Sequence, residues 1–148
     1  MIKLKLIPSI DIFGGKVVRF VKGNPDSSII YSDDPLGIAK KWINQNADAI
    51  HVVDLDSAIG TDIDNRGHIE NIVANSQIPI QVGGGIRDFK YASSLFDYGV
   101  SGLVFGTLAF RHPPIIQKLI KTFGSKKIMV ALDYLDGAVV VKGWTTST

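Results

Sequence analysis

The stretch that decides the fold is Ile80-Gln81-Val82-Gly83-Gly84-Gly85-Ile86-Arg87-Asp88. It begins with a short apolar strand that runs directly into three glycines. Because glycine has no Cβ, the backbone can turn sharply there and bring bare N–H groups close to an anion. Arg87 adds a forked positive charge, and Asp88 is an N-cap for the amphipathic helix that follows. The segment predicts a strand, a turn suited to a phosphate and a helix, although a tight connection alone would also use these glycines.

The same alternation of apolar strand and helix recurs along the chain. Strands are predicted at Leu4–Ile10, Ala49–Val53, Ile78–Val82, Gly102–Phe105 and Lys127–Leu132. Helices are predicted from Pro35 after the N-cap Asp34, over residues 67–75, after Asp88, and from Pro113 to Gly124. Strands that are apolar along their whole length and alternate with helices indicate a parallel sheet covered by helices.

Polar residues and glycines follow each predicted strand at the point where it ends. They are Asp11, Asp54, the glycines 83–85, Gly106-Thr107 and Asp133. In a (β/α)8 barrel all strand C-termini meet on one face, which holds the chemistry, whereas a doubly wound sheet gathers ligands only at its switch point. The predicted fold class is therefore α/β, of the (β/α)8 TIM-barrel type.

The sequence provides about the first five β/α units of such a barrel. A sixth extended run, Ala138–Val141, follows the turn Leu135-Asp136-Gly137 and is predicted to extend strand five as a hairpin. A complete barrel needs eight units and about 250 residues. We therefore expect residues 1–148 to form a single domain, the N-terminal half, or slightly more, of a β/α barrel.

Composition is typical of a soluble cytoplasmic protein. The chain has 148 residues, 45% of them hydrophobic, and its net charge of +2 is spread without a basic patch for nucleic acid. No apolar run reaches transmembrane length and the N-terminus does not resemble a signal peptide, so no membrane partner is expected. The absence of cysteine excludes disulfides, thiolate catalysis and Cys-ligated metals. His51, His68 and His112 lack zinc-site spacing and are expected to be surface or packing residues.

Two strand-end carboxylates form the candidate catalytic pair. Asp11 and Asp133 follow strands one and five, which face each other across a closed eight-stranded barrel. Such a pair can divide its labour, one carboxylate accepting a proton while the other donates one, although either could simply cap a turn. Gly106-Thr107 forms a second short phosphate nest, predicted to share one phosphate with the glycines 83–85 and Arg87.

A family resemblance runs through these motifs in order. They are Ile7-Pro8-Ser9-Ile10-Asp11, Gly15-Lys16-Val17-Val18-Arg19, Val52-Val53-Asp54-Leu55-Asp56, residues 82–87, Phe105-Gly106-Thr107, and Ala131-Leu132-Asp133 with Gly143-Trp144. The chain resembles the N-terminal part of the histidine-pathway isomerase that acts on a bis-phosphorylated aminoimidazole carboxamide ribonucleotide. The cyclase subunit of imidazole glycerol phosphate synthase shares most of these motifs, but Arg19 and Gly143-Trp144 favour the isomerase. Relatives that also isomerise phosphoribosyl anthranilate stay open as an alternative.

The resemblance implies an Amadori rearrangement that needs neither a metal nor an organic cofactor. Asp133 would be the general acid that opens the ribose ring, and Asp11 the general base that takes the C2 proton. Gly84, Gly85, Arg87, Gly106 and Thr107 would bind one substrate phosphate, and the second would belong to loops after strands seven and eight. Arg19 would approach the substrate and Trp144 would stack on its imidazole, although both could be loop packing.

Residues 1–148 alone are expected to be inactive and to associate with themselves or with a C-terminal half-barrel, because half a barrel leaves strands one and five as open edges. The other interpretation from the sequence is a half-barrel module that binds phosphate without turnover. Asp54 and Asp56 are interpreted as structural.

Overall fold

The computed structural model describes residues 4–135, 138–141 and 146–147. The strands are β1 (Ser9–Phe13), β2 (Lys16–Val21), β3 (Asn24–Ser32), β4 (Ile50–Asp54), β5 (Ile80–Gly83), β6 (Gly102–Phe105), β7 (Ile128–Val130), β8 (Asp133–Leu135), β9 (Ala138–Val141) and β10 (Thr146–Ser147). The helices are α1 (Pro35–Asn44), α2 (Leu55–Ile59), α3 (Arg66–Ala74), α4 (Phe89–Asp97), α5 (Thr107–Arg111) and α6 (Pro113–Phe123), and a 3-10 turn spans Ser125–Lys127. None of these helices is long and apolar enough to span a membrane.

The larger sheet has seven strands in the order β3-β2-β1-β4-β5-β6-β7. From β1 onward, each strand of this order is parallel to the next, through β4, β5 and β6 to β7. The helices lie between these strands in the sequence, as the alternation of apolar runs and caps predicts. The α/β fold class and the parallel order of the five predicted strands are confirmed, and the arrangement is that of a partial β/α barrel.

The helices cover one face of the parallel strands. Ile10, Ile12, Ile50 and Val52 are fully buried there, in one cluster with apolar residues of α1, α3, α4 and α6. Because side chains alternate along a strand, the residues between them face the opposite side. We call that side the inner face and define it by Ser9, Asp11, His51, Gln81 and Gly83.

The predicted helix starts are confirmed. The Asp34 side chain accepts a hydrogen bond from the Gly37 N–H at the start of α1, over 2.9 Å. Asp88 caps α4 in the same way by accepting from the Tyr91 N–H over 2.7 Å. Pro113 is the first residue of α6, where its missing N–H costs nothing. The five-residue helices α2 and α5 were not predicted, because they are too short to show a helical period.

An antiparallel hairpin, β2–β3, precedes the first helix and was missed by the sequence analysis. β2 pairs with β1 and β3 pairs with β2, both antiparallel. The rings of Phe13 and Phe20 meet edge to face with centroids 5.1 Å apart, which holds the hairpin against β1. The prediction that strand one is an open edge is therefore wrong, since β3 is the edge strand on that side.

The first strand also begins later than predicted, at Ser9 instead of Leu4. Residues 4–8 nevertheless lie alongside the segment that leads into β4. The Asp48 N–H donates a hydrogen bond to the Leu6 carbonyl, and the His51 N–H donates one to the Pro8 carbonyl. Pro8 has no N–H to return a hydrogen bond, which interrupts the ladder at that point.

The fifth predicted strand is shorter than expected. It spans Ile128–Val130 instead of Lys127–Leu132. The predicted hairpin of Ala138–Val141 exists, but its partner is β8 and it belongs to a separate three-stranded sheet in the order β10-β9-β8. Asp133 therefore begins a strand of the second sheet instead of ending a strand of the first.

Candidate active site

Asp11 lies on the inner face in the middle of β1 (Ser9–Phe13), inside the strand instead of directly after it as predicted. Its neighbours Ile10 and Ile12 are buried under the helices, so the alternation of the strand turns Asp11 to the other side. The Ser9 hydroxyl donates a hydrogen bond to Oδ1 of Asp11 over 2.7 Å. No residue in the described part of the chain donates to Oδ2. A carboxylate with one oxygen held and the other unengaged is suited to accept a proton from a bound molecule.

The strand register places Asp11 at the same end of the sheet as the glycine turns. Asp11 is opposite Val53, and Val53 is opposite Gly83. Since neighbouring strands are about 4.8 Å apart, Asp11 and Gly83 are separated by roughly 10 Å across the sheet. Gly83 is opposite Val104 on β6, so the turns that follow β5 and β6 leave the sheet side by side. The prediction that these elements share one end of the strands is confirmed.

Close packing requires the glycines of the turn after β5. Gly84 and Gly85 have φ values of +92° and +65°, in the left-handed region. A Cβ on Gly84 would overlap the Asp54 backbone, and a Cβ on Gly85 would overlap Ser57. The need for a tight connection is therefore enough to explain both glycines. A bound phosphate would contact a backbone whose conformation is already set by this packing.

Arg87 is exposed and fastens the same turn to the β4–α2 connection. Its Nη2 donates a hydrogen bond to the Ser57 carbonyl over 2.9 Å. A guanidinium has five N–H donors, so this contact still leaves donors for an anion. On the neighbouring strand, exposed Gly106 precedes Thr107, the first residue of α5. A Cβ on Gly106 would come no closer than 3.9 Å to any residue other than its chain neighbours.

Two buried carboxylates and an amide join the turn after β1 to the connection after β4. Asp54, Asp56 and Asn65 are at most 1% exposed. The Asn65 side-chain N–H group donates to Asp54 over 2.9 Å and to Asp56 over 2.8 Å. Asp56 also accepts from the Gly14 N–H over 2.6 Å, and Asn65 accepts from the Gly15 N–H over 3.2 Å. These contacts support the interpretation of Asp54 and Asp56 as structural residues.

Among the described residues, neither Arg19 nor Asp133 hydrogen-bonds to Asp11. Arg19 is exposed on β2, opposite Ile29. Asp133 is exposed at the start of β8, and the described residues show no hydrogen bond between it and Asp11. Trp144 lies outside the described residues. Within the described segments, no group of three or more His, Cys, Asp or Glu side chains could hold a metal ion.

His51 is a further residue of the inner face, and the sequence analysis expected only a surface or packing role for it. It is opposite Ser9 on the neighbouring strand and diagonal to Asp11. Burial lowers the pKa of His51, and the negative charge of Asp11 acts in the opposite direction. The signal was present in the sequence, since the alternation that buries Ile50 and Val52 turns His51 to the same face as Asp11.

Comparison with known proteins agrees with this arrangement. The family model described as "Histidine biosynthesis protein" matches residues 5–148. A relative from Methanothermobacter thermautotrophicus is 43% identical over 140 residues, which cover 95% of this chain and 58% of the relative. A relative from Methanosarcina barkeri is 44% identical over 144 residues, covering 95% of this chain and 59% of the relative. A third, from Methanococcus maripaludis, is 43% identical over 143 residues, covering 97% and 60%.

All three relatives are named 1-(5-phosphoribosyl)-5-((5-phosphoribosylamino)methylideneamino)imidazole-4-carboxamide isomerase. The chain spans about three fifths of their length. Because the family model matches residues 5–148, nearly the whole chain, this chain belongs to the histidine biosynthesis protein family.

Proposed function

We propose that this chain is the N-terminal part of an intramolecular aldose–ketose isomerase of histidine biosynthesis. The substrate would be the bis-phosphorylated aminoimidazole carboxamide ribonucleotide named in its relatives, and the reaction an Amadori rearrangement. The observation that carries the proposal is Asp11, a half-buried carboxylate on the inner face whose Oδ1 is held by Ser9 while Oδ2 receives no hydrogen bond from a described residue. The shared name of the relatives, at 43–44% identity over at least 95% of this chain, supports the same reaction.

Asp11 and Asp133 would divide the proton transfers. Asp133 donates a proton to the ribose ring oxygen, the C1–O bond breaks as the nitrogen lone pair forms a C=N bond, and an open-chain iminium ion results. Asp11 then removes the proton from C2, and the resulting enolamine tautomerises to the aminoketose. Each carboxylate moves one proton, and the electron pairs stay within the substrate, so these steps need no metal or redox cofactor.

One substrate phosphate would bind at the ends of β5 and β6. Gly84 and Gly85 present backbone N–H groups, Arg87 adds charge, and Gly106 and Thr107 complete the nest from the neighbouring strand. The side-by-side exit of the two turns supports this proposal. Arg19 and Trp144 are proposed as further substrate contacts, Arg19 from the β2–β3 hairpin.

The second phosphate would need residues beyond those of this chain. The relatives are longer by about two fifths of their length, and β7 ends the described sheet without a further neighbour among the described residues. We propose that a C-terminal half-barrel pairs with this chain and completes the site. Remote binding to the second phosphate then helps to position the reacting ribose.

Reconstitution tests this proposal. Residues 1–148 are co-expressed with the C-terminal part of the Methanothermobacter relative, and the conversion of aminoaldose to aminoketose is followed by chromatography. Asp11→Asn and Asp133→Asn should each lower kcat by about 10²- to 10⁴-fold, because each removes a proton-transfer group. Thr107→Val should raise KM by about tenfold, because a hydrogen bond to a charged group contributes about 1.5–3 kcal/mol.

Asp97→Asn is the matched control, since Asp97 is an exposed aspartate at the end of α4. It should leave both kinetic constants unchanged. Wild-type turnover by Asp11→Asn would contradict the proposal. Phosphate binding without turnover in every mixture would favour a non-catalytic half-barrel module, and turnover of the aminoketose instead of the aminoaldose would favour the cyclase.

A further inference from the structure

The His51 ring occupies the inner face between Asp11 and the glycine turn. His51 is opposite Ser9 on β1 and opposite Gln81 on β5. Its ring leans toward the C-terminal ends of the strands, because Cε1 lies 3.2 Å from the position of a Cβ on Gly83, two residues beyond Gln81. The bare backbone of Gly83 therefore makes room for this ring. The ring lies over the stretch of sheet, roughly 10 Å wide, that separates Asp11 from Gly83.

The two ring nitrogens are in different surroundings. Nδ1 is buried and has no hydrogen-bond partner among the described residues. Nε2 likewise has no hydrogen bond to a described residue, but unlike Nδ1 it is not completely buried. Nδ1 of the imidazole is thus buried, whereas Nε2 is not completely buried.

This difference decides which nitrogen carries the proton. A buried N–H without an acceptor is a costly group, and orphaned buried donors are rarer than acceptors that lack a partner. Nδ1 is therefore a bare lone pair, and the proton of the neutral ring is on Nε2. Protonating Nδ1 as well would bury an unpaired donor, which agrees with the pKa of His51 being lowered by burial. Asp11 is the charged group on the inner face that acts against this shift.

We propose that His51 is a substrate-binding residue, whose Nε2–H donates a hydrogen bond to an oxygen of the sugar from which Asp11 removes a proton. The proposal rests on the proposed function, because Asp11 is the base of that reaction. Ser9 holds Oδ1 of Asp11 from one side, and His51 holds the sugar from the next strand. Two neighbouring strands would thereby fix the distance between the carboxylate and the C–H bond.

The first test observes the ring directly. Nitrogen-15 spectra of the reconstituted enzyme, with the His51 signals assigned by their loss in His51→Gln, should show a bare Nδ1 and a protonated Nε2. Ribose 5-phosphate should shift the Nε2 signal, whereas inorganic phosphate, which lacks the sugar, should not. A proton on Nδ1, or an Nε2 signal that ribose 5-phosphate leaves unchanged, would overturn the proposal.

The second test is kinetic. His51→Leu removes the donor and should raise KM by about tenfold, which corresponds to about 1.4 kcal/mol. His51→Gln can place an amide N–H near the position of Nε2 and should recover most of the loss, which a purely packing role would not predict. His112→Gln is the control, because His112 is an exposed histidine at the start of α6. Equal KM values in His51→Leu and wild type would contradict the proposal.

Together, the spectroscopic test and the kinetic test distinguish a failure of this inference from a failure of the proposed function. If the wild-type mixture shows no isomerase turnover but ribose 5-phosphate still shifts the Nε2 signal, the reaction assignment fails and the sugar contact stands. If turnover is normal and Asp11→Asn abolishes it while neither His51 measurement responds, the reaction stands and the His51 contact fails.

Discussion

Asn65 shows how much of the site geometry depends on one neutral side chain. It is fully buried between two carboxylates, and its amide N–H groups donate to Asp54 and Asp56 while its oxygen accepts from the Gly15 N–H. Without these donors, two buried carboxylates would each lose a hydrogen-bond partner, which is costly in a low-dielectric interior. Asn65 therefore fixes the turn after β1, the strand that carries Asp11.

Replacing this amide should be strongly destabilising. Asn65→Ala is expected to lower the free energy of unfolding by about 1–3 kcal/mol, because it removes one donor from each of two buried carboxylates and the acceptor of the Gly15 N–H. Urea denaturation followed by circular dichroism measures the change. Asn75→Ala is the matched control, since Asn75 is exposed and, within the described segments, its side chain hydrogen-bonds only to Asn71 one turn earlier. A loss no larger than that of the control would show that the network contributes little to stability.

Among the elements, the turn after β5 has glycines that suit both tight packing and anion binding, and the sequence alone does not distinguish these two reasons. The positive φ of Gly84 and its approach to the Asp54 backbone are set by packing, whereas the proposed anion would use the backbone N–H groups of the same turn. Gly67 offers a contrast within α3. It lies in a helix, and a Cβ there would meet nothing within 4 Å.

Alanine at these two glycines should change stability in opposite directions. Gly67→Ala is expected to raise the free energy of unfolding by about 0.5–1 kcal/mol, because alanine loses less backbone entropy in a helix. Gly84→Ala is expected to lower it by more than about 1 kcal/mol, because a Cβ at that φ is strained and would overlap Asp54. Thermal unfolding of the two variants beside the wild type measures both changes. A Gly84→Ala variant as stable as the wild type would contradict the packing argument.

The sequence predicts the recurring strand–helix units better than it predicts elements that interrupt this repeat, such as the β2–β3 hairpin. The caps at Asp34 and Asp88 identify their helices correctly, because a cap is a local signal. The β2–β3 hairpin was missed because its strands contain charged residues and a bulge, and only Val17 and Val18 on β2 are buried. The neighbours of Asp11 could not be predicted before the register was known, since register decides that His51 and not another residue of β4 is diagonal to it.

At the scale of the whole molecule, the sheet ends in an apolar surface beside β7. Phe110, Val130 and Leu132 are at least 50% exposed. They line a cavity of about 350 Å³ together with residues of α5 and α6. The strand edge there also leaves backbone donors and acceptors without a partner strand among the described residues. Uncovered apolar surface next to an unpaired edge favours association.

Residues 1–148 are therefore expected to self-associate when no C-terminal half-barrel is supplied. Leu132→Lys should shift the population toward monomers, because it places a charge on the apolar surface beside β7. Ile30→Lys is the matched control on the other edge strand, β3, where Ile30 is also exposed. Sedimentation velocity across a range of concentrations measures the distribution. A wild-type chain that stays monomeric, or association that only Ile30→Lys disrupts, would contradict this prediction.

The order of the parallel strands has a consequence for how the chain is made. From β4 onward, each strand pairs with the one synthesised just before it, through β5 and β6 to β7. A ribosome adds about 5–20 residues per second, so a new β/α unit emerges every few seconds. Helices and hairpins form within microseconds. Each unit can therefore dock on a finished neighbour while the next is still being translated, and the nascent sheet grows in one direction, away from the strand that carries Asp11.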